Sequence, residues 1–211
     1  QLIEAISELG KPLTLVIMAG RPLTLSNVID KVDAILYAWH PGTMAGPAIA
    51  DLLLGVSAPS AKLPVTFPRV VGQIPIYYGH KNTGKPPSHD TITSMEAIDN
   101  RAPQTSLGMS AFYLDAGFTP LFPFGFGLSY SRFEYRDLSL SAATLLPSDE
   151  IKVQVILQNT GPCAAEEIVQ LYIRDLVASV TRPVKELKGF QKHYLQPGAS
   201  VRVEFSLSRS D

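Results

Sequence analysis

Leu13-Thr14-Leu15-Val16-Ile17-Met18, entered through Lys11-Pro12, decides the fold of the first third of the chain. A short, nearly continuous apolar run of this kind fits a strand buried on both faces, as in a parallel sheet covered by helices. Ala34-Ile35-Leu36-Tyr37-Ala38-Trp39 is a second such run. Gly46-Pro47-Ala48-Ile49-Ala50-Asp51-Leu52-Leu53-Leu54 then reads as a helix, with Pro in its opening turn and Gly55 just past its end. Val65-Thr66-Phe67, fenced by Pro64 and Pro68, reads as a third short strand. Upstream, Leu2, Ile3, Ile6 and Leu9 recur at helical spacing and Gly10 is a stop signal. Residues 1–70 are therefore expected to be α/β, a partial layer sandwich of mostly parallel sheet with flanking helices.

From residue 130 the period changes to two. Residues 133–140, 151–157, 168–173, 184–194 and 201–207 are strand-like, and turn signals such as Pro147-Ser148-Asp149, Asn159-Thr160-Gly161-Pro162 and Gln196-Pro197-Gly198 separate them. Even spacing of this kind indicates an antiparallel β-sandwich over 130–211. Five strands fall short of the seven such a sandwich usually holds, which predicts that its C-terminal end is missing. Gln1 likewise begins inside a helical pattern, with no initiator Met, basic n-region or A-x-A site, so the chain is expected to be a piece of a longer one. Residues 71–129, rich in Pro, Gly and aromatics, form the connector between the two regimes.

Composition narrows the function classes. Of 211 residues, 45% are hydrophobic and 18% charged, and eighteen Lys and Arg against nineteen Asp and Glu leave a net charge of -1. That balance shows no electrostatic footprint for nucleic acid and no polybasic membrane patch. No apolar run approaches the ~20 residues of a membrane span. The single Cys163 excludes an internal disulfide framework and a cysteine-rich zinc site.

The motifs that carry chemistry elsewhere fail here on context. Gly79-His80-Lys81-Asn82-Thr83-Gly84-Lys85 has phosphate-loop spacing after the strand-like Ile74-Pro75-Ile76-Tyr77-Tyr78. Pro86 stands where magnesium needs a hydroxyl, however, and no helix is predicted to follow. There is no G-x-S-x-G elbow, and Cys163 falls in a turn. His40, His80, His89 and His193 occur in no metal-ligand spacing and read as lone residues. Asp149-Glu150 and Glu166-Glu167 read as solvated turn residues, and Asp51, Glu96 and Asp115 form no evident acid–base pair. On these grounds no catalytic, metal or cofactor-binding residue is assigned, and substrate-binding residues are unknown.

Three stretches resemble glycoside hydrolase family 3. Trp39-His40-Pro41-Gly42-Thr43-Met44-Ala45-Gly46-Pro47-Ala48-Ile49-Ala50-Asp51-Leu52-Leu53-Leu54-Gly55, with Pro59-Ser60-Ala61-Lys62-Leu63-Pro64-Val65-Thr66-Phe67-Pro68, is similar to that family's second domain. Pro120-Leu121-Phe122-Pro123-Phe124-Gly125-Phe126-Gly127-Leu128-Ser129-Tyr130 resembles its junction into a fibronectin type III-like domain. Val184-Lys185-Glu186-Leu187-Lys188-Gly189-Phe190, followed by Leu195-Gln196-Pro197-Gly198, looks like the interior of that domain. Arg21-Pro22 and Gly72-Gln73-Ile74-Pro75 agree, and Tyr77-Tyr78 with His80-Lys81-Asn82-Thr83-Gly84 resembles the bacterial β-glucosidase subgroup. The sequence departs at Ala61, where the family commonly has Gly, and at Thr43-Met44-Ala45, where many members carry an acidic residue.

The resemblance implies a portion of a retaining β-glycosidase that acts on β-linked oligosaccharides or glucosides. It implies a nucleophile Asp on an N-terminal barrel and an acid/base Glu upstream of Leu13, so no catalytic residue transfers to this chain. It also implies substrate contact through that barrel and a periplasmic or secreted enzyme, and no motif in the chain implies a metal or organic cofactor. Residues 80–118, with Ile92, Met95, Leu107, Phe112 and Tyr113 as apolar anchors, are expected to line the outer side of the cleft, to build a homodimer contact, or simply to clamp domains together. The competing readings are a free-standing module that binds carbohydrate or protein, and a truncated pseudo-enzyme. Trp39, the only Trp, reads as core, and no row of exposed aromatics is evident.

Overall fold

The computed structural model describes residues 1–102, 110–146 and 148–211. Two compact units emerge, each assembled from three stretches of chain. One comprises Gln1–Gly42, Pro64–Phe124 and Asp175–Val184; the other comprises Thr43–Leu63, Gly125–Arg174 and Lys185–Asp211.

In the first unit, helix α1 (Leu2–Ser7) ends where Gly10 takes a φ of +63°, the left-handed stop expected of that glycine. Strands β1 (Thr14–Ile17) and β2 (Ala34–Tyr37) pair in parallel with Thr14 opposite Ala34 and Ile17 opposite Tyr37. Both apolar runs thus form strands, though with half-buried and exposed residues rather than burial on both faces. Val65-Thr66-Phe67 does not form a strand: it makes one bridge, Phe67 with Phe122, through Phe67 N to Phe122 O at 2.8 Å and Leu121 N to Phe67 O at 2.9 Å. Propensity was present there, but only one residue finds a ladder partner. Phe67 is 1% exposed and sits edge-on to the rings of Tyr37 (4.9 Å) and Trp39 (5.8 Å). This aromatic contact, rather than a third strand, closes the two-stranded sheet over the connector.

In the second unit, helix α2 (Ala45–Leu53) ends at Gly55, whose φ is +73°. A Cβ at Gly46 would meet open space. The tyrosine hydroxyl of Tyr130 donates to the Leu52 carbonyl at 2.8 Å, satisfying one of the open carbonyls of the last helical turn. Strands β3 (Phe133–Leu140), β4 (Glu150–Asn159) and β7 (Ser200–Ser208) form an antiparallel sheet in the order β3-β4-β7. Strands β5 (Ala165–Ile173) and β6 (Glu186–Leu195) form a second antiparallel pair. Leu157 from β4, Val169 from β5, Leu195 from β6 and Val203 from β7 meet in one buried cluster, so side chains of both sheets share a core.

Buried Asn159 closes one end of this core. Its amide donates to the Cys163 and Leu195 carbonyls at 2.9 Å, and its oxygen accepts from Ser131 Oγ (2.6 Å) and Gly161 N (3.0 Å). Every polar position of that amide is used, as burial requires. On β3 the pairing shifts between Arg136 and Ser139, and Asp137 takes a φ of +56° there. A bulge at this place bends the strand and spoils an otherwise regular edge.

Candidate functional site

The first unit offers two edges on which a site can form. In open α/β sheets ligands sit beyond the carboxyl ends of the strands. Here those ends lead into Gly20-Arg21 and into Trp39-His40-Pro41-Gly42. Tyr37 donates its hydroxyl to the Arg21 carbonyl at 2.5 Å, binding the two exits together. Trp39 has a φ of +51°, an outlier for a bulky residue that costs about 1–3 kcal/mol. The contacts that hold it are the rings of Tyr37 at 4.8 Å and Phe67. Gly20 lies directly under the His40 imidazole, leaving no space for a Cβ. The opposite, amino edge carries a cleft of about 510 Å³ lined by Ser7, Lys11, Asp30 and Asp33 among others. It lies on the wrong side of the strands for the ligand rule.

The connector is built on a neck. Buried Gln73, 1% exposed, accepts from Arg69 N at 2.7 Å and directs its amide at the Ala116 and Thr119 carbonyls, both at 3.4 Å. Arg69 Nε donates to Thr119 O at 3.2 Å, and Ser26 Oγ donates to Arg69 O at 2.8 Å. Beyond the neck, Tyr78 stacks on Phe124 at 4.3 Å and His89 leans on Phe118 at 5.1 Å. The connector also bridges to the end of the β5–β6 link, where Val184 N donates to His80 O at 2.9 Å. Of the expected anchors, Met95 and Tyr113 are 55% and 44% exposed rather than buried, while Ile92 and Phe112 are half-buried. Leu107 lies outside the described residues, as does Pro147 of the predicted turn.

The four histidines are dispersed. His80 Nδ1 lies 3.2 Å from the Tyr77 carbonyl, and His193 Nε2 lies 3.2 Å from Gln191 Oε1. Among the described residues no three His, Cys, Asp or Glu side chains group as metal ligands. Residues 86–94, directly after Lys85, form no helix, so the phosphate-loop spacing has no dipole at its end to aim. Asp51, Glu96 and Asp115 are exposed, on α2, on a short turn and in the connector respectively.

Glu166 and Glu167 are not turn residues. Both lie within β5, and Glu167 is 8% exposed. Lys62 Nζ reaches Glu167 Oε2 at 2.9 Å and donates to Gly127 O at 3.0 Å, while Tyr135 donates its hydroxyl to Glu167 Oε1 at 2.9 Å. Burial and the adjacent carboxylate hold the Tyr135 phenol far above its ordinary range. Glu166 accepts from Ser60 Oγ at 3.2 Å and pairs with Lys192, which holds its carboxyl below the usual range. That is the opposite of the raised value a general acid needs. The group therefore ties the 60–63 segment to β5 and β3, with no acid–base pair assembled. Gly125, at φ +80°, completes this junction: a Cβ there would fall on the Gln170 amide and the Tyr172 hydroxyl.

The arrangement defines a class first: a short parallel α/β segment joined through a Pro- and aromatic-rich connector to an antiparallel β domain. Residues 1–130 match the glycosyl hydrolase family 3 C-terminal domain, and residues 167–211 match the fibronectin type III-like domain. The chain belongs to glycosyl hydrolase family 3. It is 43% identical over 206 residues to a periplasmic β-glucosidase of Salmonella typhimurium, covering 98% of this chain and 25% of that protein. It is 37% identical over 207 residues to a β-xylosidase of Formosa agariphila, covering 98% of this chain and 26% of that one. Among solved structures, the Listeria innocua β-glucosidase D270A mutant in complex with laminaribiose superposes with a TM-score of 0.87 at 40% identity, over 99% of this chain and 27% of that chain. The chain thus spans about a quarter of the length of these relatives.

Proposed function

We propose that this chain is the C-terminal portion of a retaining β-glycosidase, β-glucosidase-like, that removes terminal β-linked glucosyl residues from oligosaccharides or aryl glucosides. The observation that carries the reading is the 43% identity to a periplasmic β-glucosidase across 98% of this chain. The nucleophile Asp and the acid/base Glu are expected upstream, and substrate binds through an N-terminal barrel. A retaining mechanism uses two carboxyls on either side of the scissile bond. Asp51, Glu96, Asp115, Asp149 and Glu150 are exposed, and Glu166 and Glu167 are held in ion pairs.

Residues 1–70 belong in this reading to the α/β sandwich domain, a view supported by the parallel β1–β2 pair. Residues 71–129 are its connector, and 130–211 a fibronectin type III-like β-sandwich, supported by the shared core of the two antiparallel sheets. The enzyme works in the periplasm or outside the cell; the Salmonella relative's name, which calls that protein periplasmic, supports the first. Among the described residues no helix is long and apolar enough to cross a membrane. Residues 80–118 build a homodimer contact, line the outer side of the cleft, or simply clamp domains together.

The test is hydrolysis of aryl β-glucosides and β-xylosides by the full-length protein that carries these residues, beside the 211-residue chain alone. The full-length protein is expected to hydrolyse at least one of them and the chain alone neither. Inactivity of the full-length protein on both, or hydrolysis by the chain alone, overturns the reading.

A further inference from the structure

The outward face of β6 carries a feature that hydrolysis does not use. Gln191, His193 and Leu195 alternate with Phe190, Lys192 and Tyr194, and Leu195 belongs to the core, so the second set points away from it. Gly189 fixes this parity from the other end, because the Phe205 ring of β7 occupies the place of its missing side chain. Pairing with β5 runs unbroken from Ala165–Leu195 to Leu171–Gly189, so no bulge turns either ring aside. Phe190 is 68% exposed and Tyr194 is 61% exposed. Four residues apart on one strand face, their Cα atoms stand about 13 Å from each other.

Between the rings lies a polar centre. Lys192 is bonded to Glu166 of β5, and Glu166 also accepts from Ser60. Gln196 Nε2 reaches the Tyr194 hydroxyl at 3.4 Å. A protein partner's hot spot places its apolar anchors at a dry centre and its charges at the rim. This face differs, with aromatic rings outside, the Lys192–Glu166 ion pair between them and half-buried Ile168 opposite Lys192. Lys192 and Glu166 compensate each other, so the face offers no net charge to a polyanion. A ligand with apolar C–H faces and hydroxyl edges, and no charge of its own, matches both parts. The rings take the faces of pyranose units, and the ion pair and amide take hydroxyls.

We propose that Phe190 and Tyr194, with Lys192 and Glu166 between them, form a binding platform for a neutral β-linked glucan chain. The choice of β-linkage rests on the β-glycosidase reading; the neutral polysaccharide class rests on the face itself. The probe is soluble mixed-linkage β-glucan in native affinity electrophoresis of the full-length protein, with its catalytic site saturated by a glucosidase inhibitor. The parent protein is expected to be retarded, each of Phe190→Ala and Tyr194→Ala to weaken binding about fivefold, and the double variant to migrate as in a glucan-free gel. Aryl glucoside hydrolysis by all variants should equal that of the parent. Because both side chains are exposed, the variants should keep the parent's thermal transition. A Phe190→Trp variant gives a reading independent of truncation: it should retain binding, and its indole emission should shift to shorter wavelength on adding the glucan.

Absence of retardation in the parent, or equal retardation of the double variant, overturns the platform. Loss of a dimer in the double variant without any glucan binding also overturns it, in favour of a protein interface. Equal retention by an α-linked glucan overturns the stated linkage. Glucan binding by a full-length protein that hydrolyses no β-glycoside would sink the hydrolase reading and leave the platform standing.

Discussion

Glu167 is buried against Lys62 and the Tyr135 hydroxyl, and removing one partner of such a group strands the charge of the other. Glu167→Leu or Lys62→Met is expected to lower stability by about 3 kcal/mol. Lys62→Met combined with Glu167→Leu should recover most of that loss, because both charges leave together; chemical denaturation of the four proteins measures the coupling. Equal losses in the single and double variants would show that packing rather than pairing matters here. In the sequence Glu166-Glu167 resembles a solvated charged turn, since adjacent acids beside a Pro-containing turn usually are. Nothing local reveals that Lys62, 105 positions away, approaches Glu167. The left-handed glycines were legible by contrast, because Gly10 and Gly55 follow helical patterns whose ends require that backbone.

At the level of elements, β4 and β7 supply Leu157 and Val203 to the shared cluster, with Val155, Val201 and Phe205 packed against it. Leu157, 0% exposed, touches the cluster that both sheets share, so Leu157→Ala should cost about 3 kcal/mol and lower the urea midpoint accordingly. The same two strands are bridged by Lys152 and Glu204 at 2.8 Å, and that pairing holds the Glu204 carboxyl below its usual range. A carboxyl lowered on folding contributes above its unfolded value and loses the contribution as pH falls through the folded one. Stability should therefore decline below about pH 4, and Glu204→Gln should decline less steeply over that interval; urea titrations at several pH values decide it. Period-two alternation located these strands within a few residues because one face of each is buried, which the side-chain pattern records directly. It placed β5 too late, at 168 instead of Ala165, since two glutamates at its start masked the alternation. It missed the bulge at Asp137, which depends on how β3 meets β4 rather than on any one residue. Val65-Thr66-Phe67 failed in the other direction, with strand character but a single bridging partner.

Taken whole, the described surface exposes many large aliphatic side chains, including Leu54 at 80%, Val56 at 72%, Leu176 at 78% and Val177 at 91%. Apolar surface on this scale favours association. The 211-residue chain by itself is expected to elute as oligomers or aggregates and to unfold over a broad range in calorimetry. A soluble monomer with one sharp transition would refute that. At this scale the family was legible only through resemblance, carried by the distinctive motifs around Trp39, Phe124 and Phe190. The neck at Gln73 has a consequence for how such molecules vary. One neutral amide, with Arg69 beside it, fastens both stems of the long excursion between Gln73 and Ala116. Closing a longer loop on the same neck adds only about 0.6 kcal/mol per doubling of its length. The excursion can therefore be lengthened, trimmed or exchanged while the base stays shut. Insertions and grafted peptides within it are therefore expected to leave the neck closed.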